Sequence, residues 1–273
     1  MEIQYGTAID VGIKRAGKPN QDSLAILTPK TQNALPPVLI VADGMGGYKG
    51  GEVASQIVMQ QFSEAYSQWQ SKSFSMASYC EQVIKKAIIK MQEKAKEDVE
   101  FASMGSTVVA VSVTNSRVSV VNVGDSRAYL INPNGVRQIS YDHSFVGEAM
   151  RAGLLTAEEA MHHPKKNQLT QSIRAAATEI RPYYGTETLA NNDIILLCSD
   201  GLWGVVPEQM IQYVITENPP QTAAELLVQA ANNLGGPDNI SIIIAKPIED
   251  GPITKPSIRV QAADATVTQV SNR

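Results

Sequence analysis

The sequence contains few of the residues that build covalent cross-links or soft metal sites. Its 273 residues include 2 Cys and 3 His. Two cysteines, Cys80 and Cys198, cannot form a disulfide framework or a four-cysteine zinc site. We interpret Cys198, which lies in an apolar run, as a small core residue. Without a His/Cys cluster, zinc is the less favoured metal for any site in this chain.

Long hydrophobic runs and an excess of basic residues are also missing. No segment approaches the roughly 18 uninterrupted apolar residues of a membrane span, and the start, MEIQYGTAIDVG, lacks the pattern of a secretory signal. The formal net charge is -4 and the pI is about 5.5, which argues against nucleic acid as the main partner. We therefore expect a cytoplasmic protein without membrane or nucleic-acid partners. With 43% hydrophobic and 18% charged residues, the composition is that of a globular chain.

The most informative stretch is VLIVADGMGGYKGGE, residues 38–52. Its apolar start predicts a buried strand, with Asp43 at the strand's end and five glycines in the next eight residues. The glycines match neither a phosphate-binding P-loop nor a dinucleotide-binding loop. An acid beside bare backbone carbonyls suits a hard cation. A glycine-rich turn with a solvated Asp43 is, at this point, an equally good interpretation.

The remaining pattern predicts alternating groups of strands and helices. We expect helices over 51–69, 76–99 and 222–234, another beginning at Pro207, and a meander of antiparallel strands between 105 and 139. The 145–185 segment is polar and longer than an ordinary connection, which is typical of a lid or binding loop. Residues 248–273 show little periodicity and predict a mobile tail.

Four further acids lie beside strand ends or bends. Asp200 and Asp238 repeat the arrangement of Asp43 next to glycine, and Asp22 and Asp125 are placed similarly. Each alone is explained by a turn, but clustered carboxylates repel one another unless a cation neutralises them. Oxygen ligands favour Mg²⁺ or Mn²⁺. Two such ions roughly 3.5–4 Å apart can activate water and clamp a phosphoryl group, so the acids predict metal-dependent phosphoester hydrolysis.

At this point the chain resembles the PPM family, the metal-dependent type 2C Ser/Thr protein phosphatases, in its bacterial form. The resemblance covers about residues 1–246 and rests on several motifs in the family's order. The motifs are NQDS (20–23), ADGMGG (42–47), GGEVAS (50–55), GST (105–107), VGDSRAYL (123–130), DHS (142–144), HPKKNQLT (163–170), SDGLW (199–203) and GGPDNIS (235–241).

The resemblance implies an α+β fold, a four-layer α-β-β-α sandwich with two central antiparallel sheets. It implies one catalytic domain over residues 1–247, with a flap at about 145–185, followed by the tail 248–273. The expected cofactors are two Mn²⁺ or Mg²⁺ ions and an optional third. The resemblance also implies roles for the site residues. Asp43 would bridge two ions, the Gly44 carbonyl would bind one of them, Asp200 and Asp238 would complete the other, Asp22 would act through bound water, and Asp125 with Asp200 would form the third site.

Two residues and the flap sequence depart from the family pattern. Gln21 stands where Glu is common, so one contact near the metal water is neutral. Tyr48 stands where many bacterial members have His. With an ordinary pKa near 10 it is a poor proton shuttle, although it can donate a hydrogen bond, so we assign it to substrate binding. Arg15 is expected to bind the phosphate, with Lys14 and Lys18 as alternatives. The flap sequence LTQSIRAA differs from the usual LTRALG.

The implied activity is hydrolysis of phosphoserine and phosphothreonine in proteins by metal-activated water, with Asp43, Asp200, Asp238 and Arg15 as catalytic residues. The expected partners are phosphoprotein substrates of a bacterial-type Ser/Thr kinase, and we expect a monomer. Two alternatives stay open. One is a pseudophosphatase that serves as a binding module, and the other is a phosphatase of phosphorylated sigma-factor regulators.

Overall fold

The computed structural model describes residues 2–28, 35–69, 74–114, 116–177 and 179–248, with only the backbone described at Tyr48 and Lys49. Within these ranges the strands are β1 Glu2–Asp10, β2 Asp22–Leu27, β3 Val38–Met45, β4 Gly105–Ser106, β5 Val108–Val113, β6 Arg117–Val123, β7 Arg127–Asn132, β8 Gly135–Gln138, β9 Ile173–Arg174, β10 Tyr183–Thr188, β11 Ile194–Cys198 and β12 Ile240–Ile248. The α-helices are α1 Gly47–Gln68, α2 Met76–Glu97, α3 Phe145–Arg151, α4 Ala157–His162, α5 Asp200–Trp203, α6 Glu208–Glu217 and α7 Pro220–Asn233.

The strands form two antiparallel sheets. The five-stranded sheet has the order β1-β12-β11-β7-β8, and the seven-stranded sheet has the order β10-β6-β5-β3-β4-β9, with β2 also paired to β3. The first and last described strands are adjacent, with Glu2 opposite Ile248 and Asp10 opposite Ile240. The two ends of the described chain therefore close the same sheet.

Three apolar clusters show how the layers are stacked. One, which includes Phe62 and Ile40, joins α1 and α2 to the seven-stranded sheet. A second fills the space between the sheets and includes Val41 and Leu197. The third joins the five-stranded sheet to α5, α6 and α7. Successive residues of β3 alternate between the first two clusters because side chains of a strand point to opposite faces. The predicted four-layer α-β-β-α sandwich is confirmed.

The region after Asp43 differs from the sequence-based prediction. Strand β3 does not end at Asp43 but continues to Met45, because Gly44 and Met45 change partner from β5 to the short strand β4. Helix α1 begins at Gly47 rather than at Gly51. The predicted glycine-rich loop is thus reduced to a sharp turn at Gly46, whose φ of 116° is accessible to glycine but rarely to other residues.

The predicted flap contains α3, α4 and β9. Its range overlaps the start of β10, which begins at Tyr183 and pairs with β6 in the seven-stranded sheet. Strand β12 runs to Ile248, the first residue of the predicted tail, and the rest of the predicted tail lies outside the described residues. In the described ranges, no helix has the length and apolar character needed to cross a bilayer.

Candidate metal centre and active site

Two of the predicted acids face each other across neighbouring strands. Asp22 of β2 is the register partner of Asp43 of β3. The hydroxyl of Ser199 donates to Asp22 Oδ2 at 2.7 Å. The backbone of Asp43 is fixed by Thr107, whose Oγ1 accepts from the Asp43 N–H at 3.0 Å and whose N–H donates to the Asp43 carbonyl at 2.8 Å. The sheet therefore holds two carboxylates side by side.

The other sheet brings Asp200 and Asp238 to the same place. Asp200 opens α5 directly after β11, and its side chain lies within hydrogen-bonding reach of Asp43. Asp238 lies between α7 and β12, where its Oδ1 accepts from the Asn239 N–H at 2.7 Å. The Ser199 N–H donates to the Ser241 carbonyl at 3.1 Å, which ties the two segments together. The acids thus converge where the ends of both sheets meet.

Asp125 joins this group from the connection between β6 and β7. It is buried, and its carbonyl accepts a hydrogen bond from the indole N–H of Trp203 at 3.0 Å. Trp203 is the last residue of α5, the short helix that begins with Asp200. This helix therefore connects Asp125 to Asp200.

The carboxyl groups in this cluster hold protons more tightly than ordinary aspartates. Burial raises the pKa of Asp22 to about 7, that of Asp125 to about 8 and that of Asp200 to about 6, and the charges of neighbouring aspartates add to each effect. The pKa of Asp43 is raised well above its usual value by burial and by the charges of Asp22, Asp200, Asp125 and Asp238. A positive charge among these groups would oppose the repulsion.

The donor atoms fit a hard divalent cation. Asp22 Oδ1 and Asp200 Oδ1 are buried and accept no hydrogen bond from the described residues. Buried carboxylate oxygens are costly without a partner, and oxygen is the ligand that Mg²⁺ and Mn²⁺ prefer. As arranged, no three His, Cys, Asp or Glu side chains of the described residues form a direct cage for one ion. The Asp238 carboxylate is paired with Arg15 instead.

The backbone at Gly44 is packed so closely against its neighbours that no side chain fits there. The Gly44 N–H donates to the Gln21 carbonyl at 3.0 Å. A Cβ at Gly44 would collide with the carbonyls of Gly51 and Gln21, and a Cβ at Gly51 would collide with the Gly44 carbonyl. Glycine at both positions allows strand β3 and helix α1 to approach closely beside Asp43.

Arg15, the predicted phosphate-binding residue, is in the site. Its Nη1 donates to Asp238 Oδ1 at 2.5 Å and its Nη2 donates to Gln21 Oε1 at 2.5 Å. Gln21 in turn donates from Nε2 to the Gly47 carbonyl at 3.0 Å. The alternatives Lys14 and Lys18 are exposed, whereas Arg15 is partly buried against the acids. The side chain of Tyr48 lies outside the described residues, so its predicted role stays a prediction.

Sequence patterns missed the groups that hold the acids in place. Arg127 makes a buried ion pair with Asp142, with Nη2 at 2.7 Å from Oδ2, and its guanidinium lies 3.5 Å from the centre of the Trp203 ring. The VGDSRAYL, DHS and SDGLW motifs contain all three residues, but nothing in their spacing shows that they touch. His143 is buried and orders a loop: its Nδ1 accepts from the Gly124 N–H at 3.3 Å.

Comparison with known proteins identifies the family of this chain. The family model described as "Protein phosphatase 2C" matches residues 12–231. The "Serine/threonine phosphatase stp" of Listeria welshimeri is 33% identical over 237 residues, which cover 83% of this chain and 90% of that protein.

Solved structures show the same fold. The serine/threonine phosphatase Stp1 from Staphylococcus aureus superposes with a TM-score of 0.82 at 30% identity, covering 91% of this chain and 96% of that one. The catalytic domain of the phosphatase PstP, solved in complex with 2 manganese ions, has a TM-score of 0.75 at 26% identity and covers 89% of this chain and 97% of that one.

The chain therefore belongs to the protein phosphatase 2C family. Within that family it is a bacterial serine/threonine protein phosphatase of the PPM type.

Proposed function

We propose that this phosphatase hydrolyses phosphoserine and phosphothreonine in proteins at a centre of two Mn²⁺ or Mg²⁺ ions held by Asp43, the Gly44 carbonyl, Asp200 and Asp238. The observation that supports it best is the group of aspartates with raised pKa values, two of which have a buried oxygen that accepts no hydrogen bond within the described part of the chain. When bound, such ions supply a water made nucleophilic at neutral pH and a positive clamp for the phosphoryl group.

The chain's own residues would divide the remaining work. Asp22 would hold an ion-bound water, since its free Oδ1 is a hydrogen-bond acceptor. Asp125 with Asp200 would form an optional third site. Arg15 is the best-placed cation for the substrate phosphate, because it is anchored beside Asp238 and Gln21. Tyr48 is proposed to bind substrate by a hydrogen bond.

The proposed substrates are phosphoproteins modified by a bacterial-type Ser/Thr kinase, acted on by a cytoplasmic monomer with one catalytic domain over 1–247. The presence of all the predicted acids argues against a pseudophosphatase. Nothing observed favours a phosphatase restricted to sigma-factor regulators.

Hydrolysis of p-nitrophenyl phosphate tests the proposal. We expect turnover with Mn²⁺ or Mg²⁺ and loss of turnover with EDTA. Asp43→Asn and Asp200→Asn should abolish activity because each removes a ligand charge. Asp98→Asn should keep it, because Asp98 is an exposed acid that follows the last residue of α2. A folded wild-type protein without metal-dependent turnover would disprove the proposed function, and near wild-type activity in either site variant would disprove that residue's role.

A further inference from the structure

A polar cleft lies at the edge of the seven-stranded sheet, outside the group of acids. Its volume is about 220 Å³, and its polar lining residues are Thr170, Gln171, Ser172, Arg174 and Glu179. Ile173, which lies between Ser172 and Arg174, is fully buried in the core against α1 and α2. This burial fixes the strand that carries Arg174 relative to the sheet.

The register places this cleft beside the candidate active site. Arg174 of β9 is opposite Gly105 of β4, and Gly105 is opposite Met45 of β3, two residues after Asp43. A Cβ at Gly105 would lie 3.2 Å from the Arg174 Cβ and 3.5 Å from Met45 Cγ. Two strand spacings across and two residues along the sheet amount to roughly 12 Å.

Arg174 is the basic residue of this cleft, and its charge has no partner among the described residues. It is exposed, and in the part of the chain that the structure describes its guanidinium has no ion pair or hydrogen bond. Neighbouring charges are already satisfied: Arg181 Nε donates to Glu179 Oε1 at 3.1 Å and Nη2 to Oε2 at 3.2 Å. A guanidinium fork is suited to bidentate recognition of a carboxylate.

We propose that this cleft binds an acidic side chain of the phosphoprotein substrate and that Arg174 determines this preference. The inference rests on the proposed function, because it places the phosphorylated residue at the aspartates. An extended peptide advances about 3.3 Å per residue, so the preferred acid lies about three or four residues from the phosphorylated residue.

A set of phosphothreonine peptides tests this inference. One Glu replaces Gln at each position from five residues before to five residues after the phosphothreonine, and kcat/KM is measured with Mn²⁺. An exposed ion pair contributes about 0.4–1 kcal/mol, so Glu should raise kcat/KM about 2–5-fold at one position three or four residues away. Higher salt should reduce the preference.

Variants identify the residue responsible. Each peptide rate is divided by the same variant's rate on p-nitrophenyl phosphate. Arg174→Glu should reverse the preference in favour of a Lys peptide, and Arg174→Lys should retain part of it. The matched control is Arg117→Glu, an exposed arginine at the other end of the sheet, which should behave as wild type.

Two results overturn the inference and are distinguishable. If the wild type turns over p-nitrophenyl phosphate with Mn²⁺ but shows no acidic preference, or if Arg174→Glu keeps that preference, the cleft assignment is wrong and the proposed function stands. If the folded wild type shows no metal-dependent turnover, both fail.

Discussion

Asp22 and Asp43 are direct cross-strand partners on β2 and β3, and both have pKa values raised by burial. Like charges directly opposite each other destabilise a strand pair. The pair therefore costs folding free energy in the absence of a cation, and this cost must depend on pH and on divalent ions.

The first prediction concerns the stability of the metal-free protein. Unfolded aspartates titrate near pH 3.9, whereas the folded pKa values of Asp200, Asp22 and Asp125 are about 6, 7 and 8. Between the unfolded and folded values the folded state binds more protons, so stability falls as pH rises. We expect the melting temperature in EDTA to fall from about pH 5 to pH 8.

Calorimetry with Mn²⁺ provides the control. Because an ion that binds only the folded state stabilises it, adding Mn²⁺ at pH 8 should restore the melting temperature. Asp22→Asn should flatten the pH dependence in EDTA, since it removes one of the titrating groups. A melting temperature that rises between pH 5 and pH 8 in EDTA would show that the aspartates do not repel one another as described.

The second prediction concerns the close approach at Gly44. Gly44→Ala forces a methyl group against the carbonyls of Gly51 and Gln21, and overpacking of this kind typically costs about 1–3 kcal/mol. In a chain of this size each kcal/mol corresponds to about 2–4 °C in melting temperature. Activity should fall as well, because the Gly44 carbonyl, a proposed ion ligand, would be displaced.

Gly135→Ala is the matched control, since nothing lies within 4 Å of its added methyl group. Equal melting temperatures for the two variants would contradict the predicted clash at Gly44.

The acids can be predicted from the sequence, but their geometry cannot. Strand-end aspartates beside glycine were visible in the sequence, and in the structure the charges of Asp22, Asp125 and Asp200 all raise the pKa of Asp43. Asp22 and Asp43 lie opposite each other because β2 pairs with β3 in one particular register. The local sequence of neither strand specifies that register.

The same limit explains the missed groups and boundaries. The apolar run at 38–42 predicted a buried strand, but the continuation of β3 through Met45 depends on β4, a two-residue strand about 60 positions later. The Arg127–Asp142 pair and the contact with Trp203 join three separate motifs, and contacts of this kind leave no periodic signal. These three motifs come into contact only in the folded chain.

The third prediction concerns Gln21, which holds Arg15. Gln21→Leu removes the acceptor for Arg15 Nη2 and the donor to the Gly47 carbonyl. A lost hydrogen bond to a charged group is worth about 1.5–3 kcal/mol, so KM for p-nitrophenyl phosphate should rise about tenfold or more, with a smaller change in kcat. Gln21→Glu keeps the acceptor and should raise KM less.

Inhibition by inorganic phosphate separates positioning from general damage. If Gln21 positions Arg15 for the phosphate, the inhibition constant should rise together with KM in the Leu variant. A wild-type KM and inhibition constant in that variant would show that Arg15 is held without Gln21. Half-saturation by Mn²⁺, measured in parallel, reports any separate effect on the ions.

The last prediction concerns the buried ion pair that supports Asp125. Arg127 donates from Nε and Nη2 to Asp142 and from Nη1 to the Tyr129 hydroxyl, and it stacks on Trp203, whose indole binds the Asp125 carbonyl. Removing one member of a buried pair typically costs about 3–5 kcal/mol because the partner charge is left unpaired. Arg127→Met should therefore lower the melting temperature by about 6–20 °C at 2–4 °C per kcal/mol.

Arg127→Lys should recover only part of the loss, since an ammonium group cannot reproduce the two parallel hydrogen bonds of the guanidinium or its stacking on Trp203. The control is Arg181→Met, which breaks the exposed pair with Glu179 and should lower the melting temperature far less, because exposed ion pairs contribute little to stability. Equal losses in Arg127→Met and Arg181→Met, measured by calorimetry, would show that the buried pair does not stabilise this end of the site.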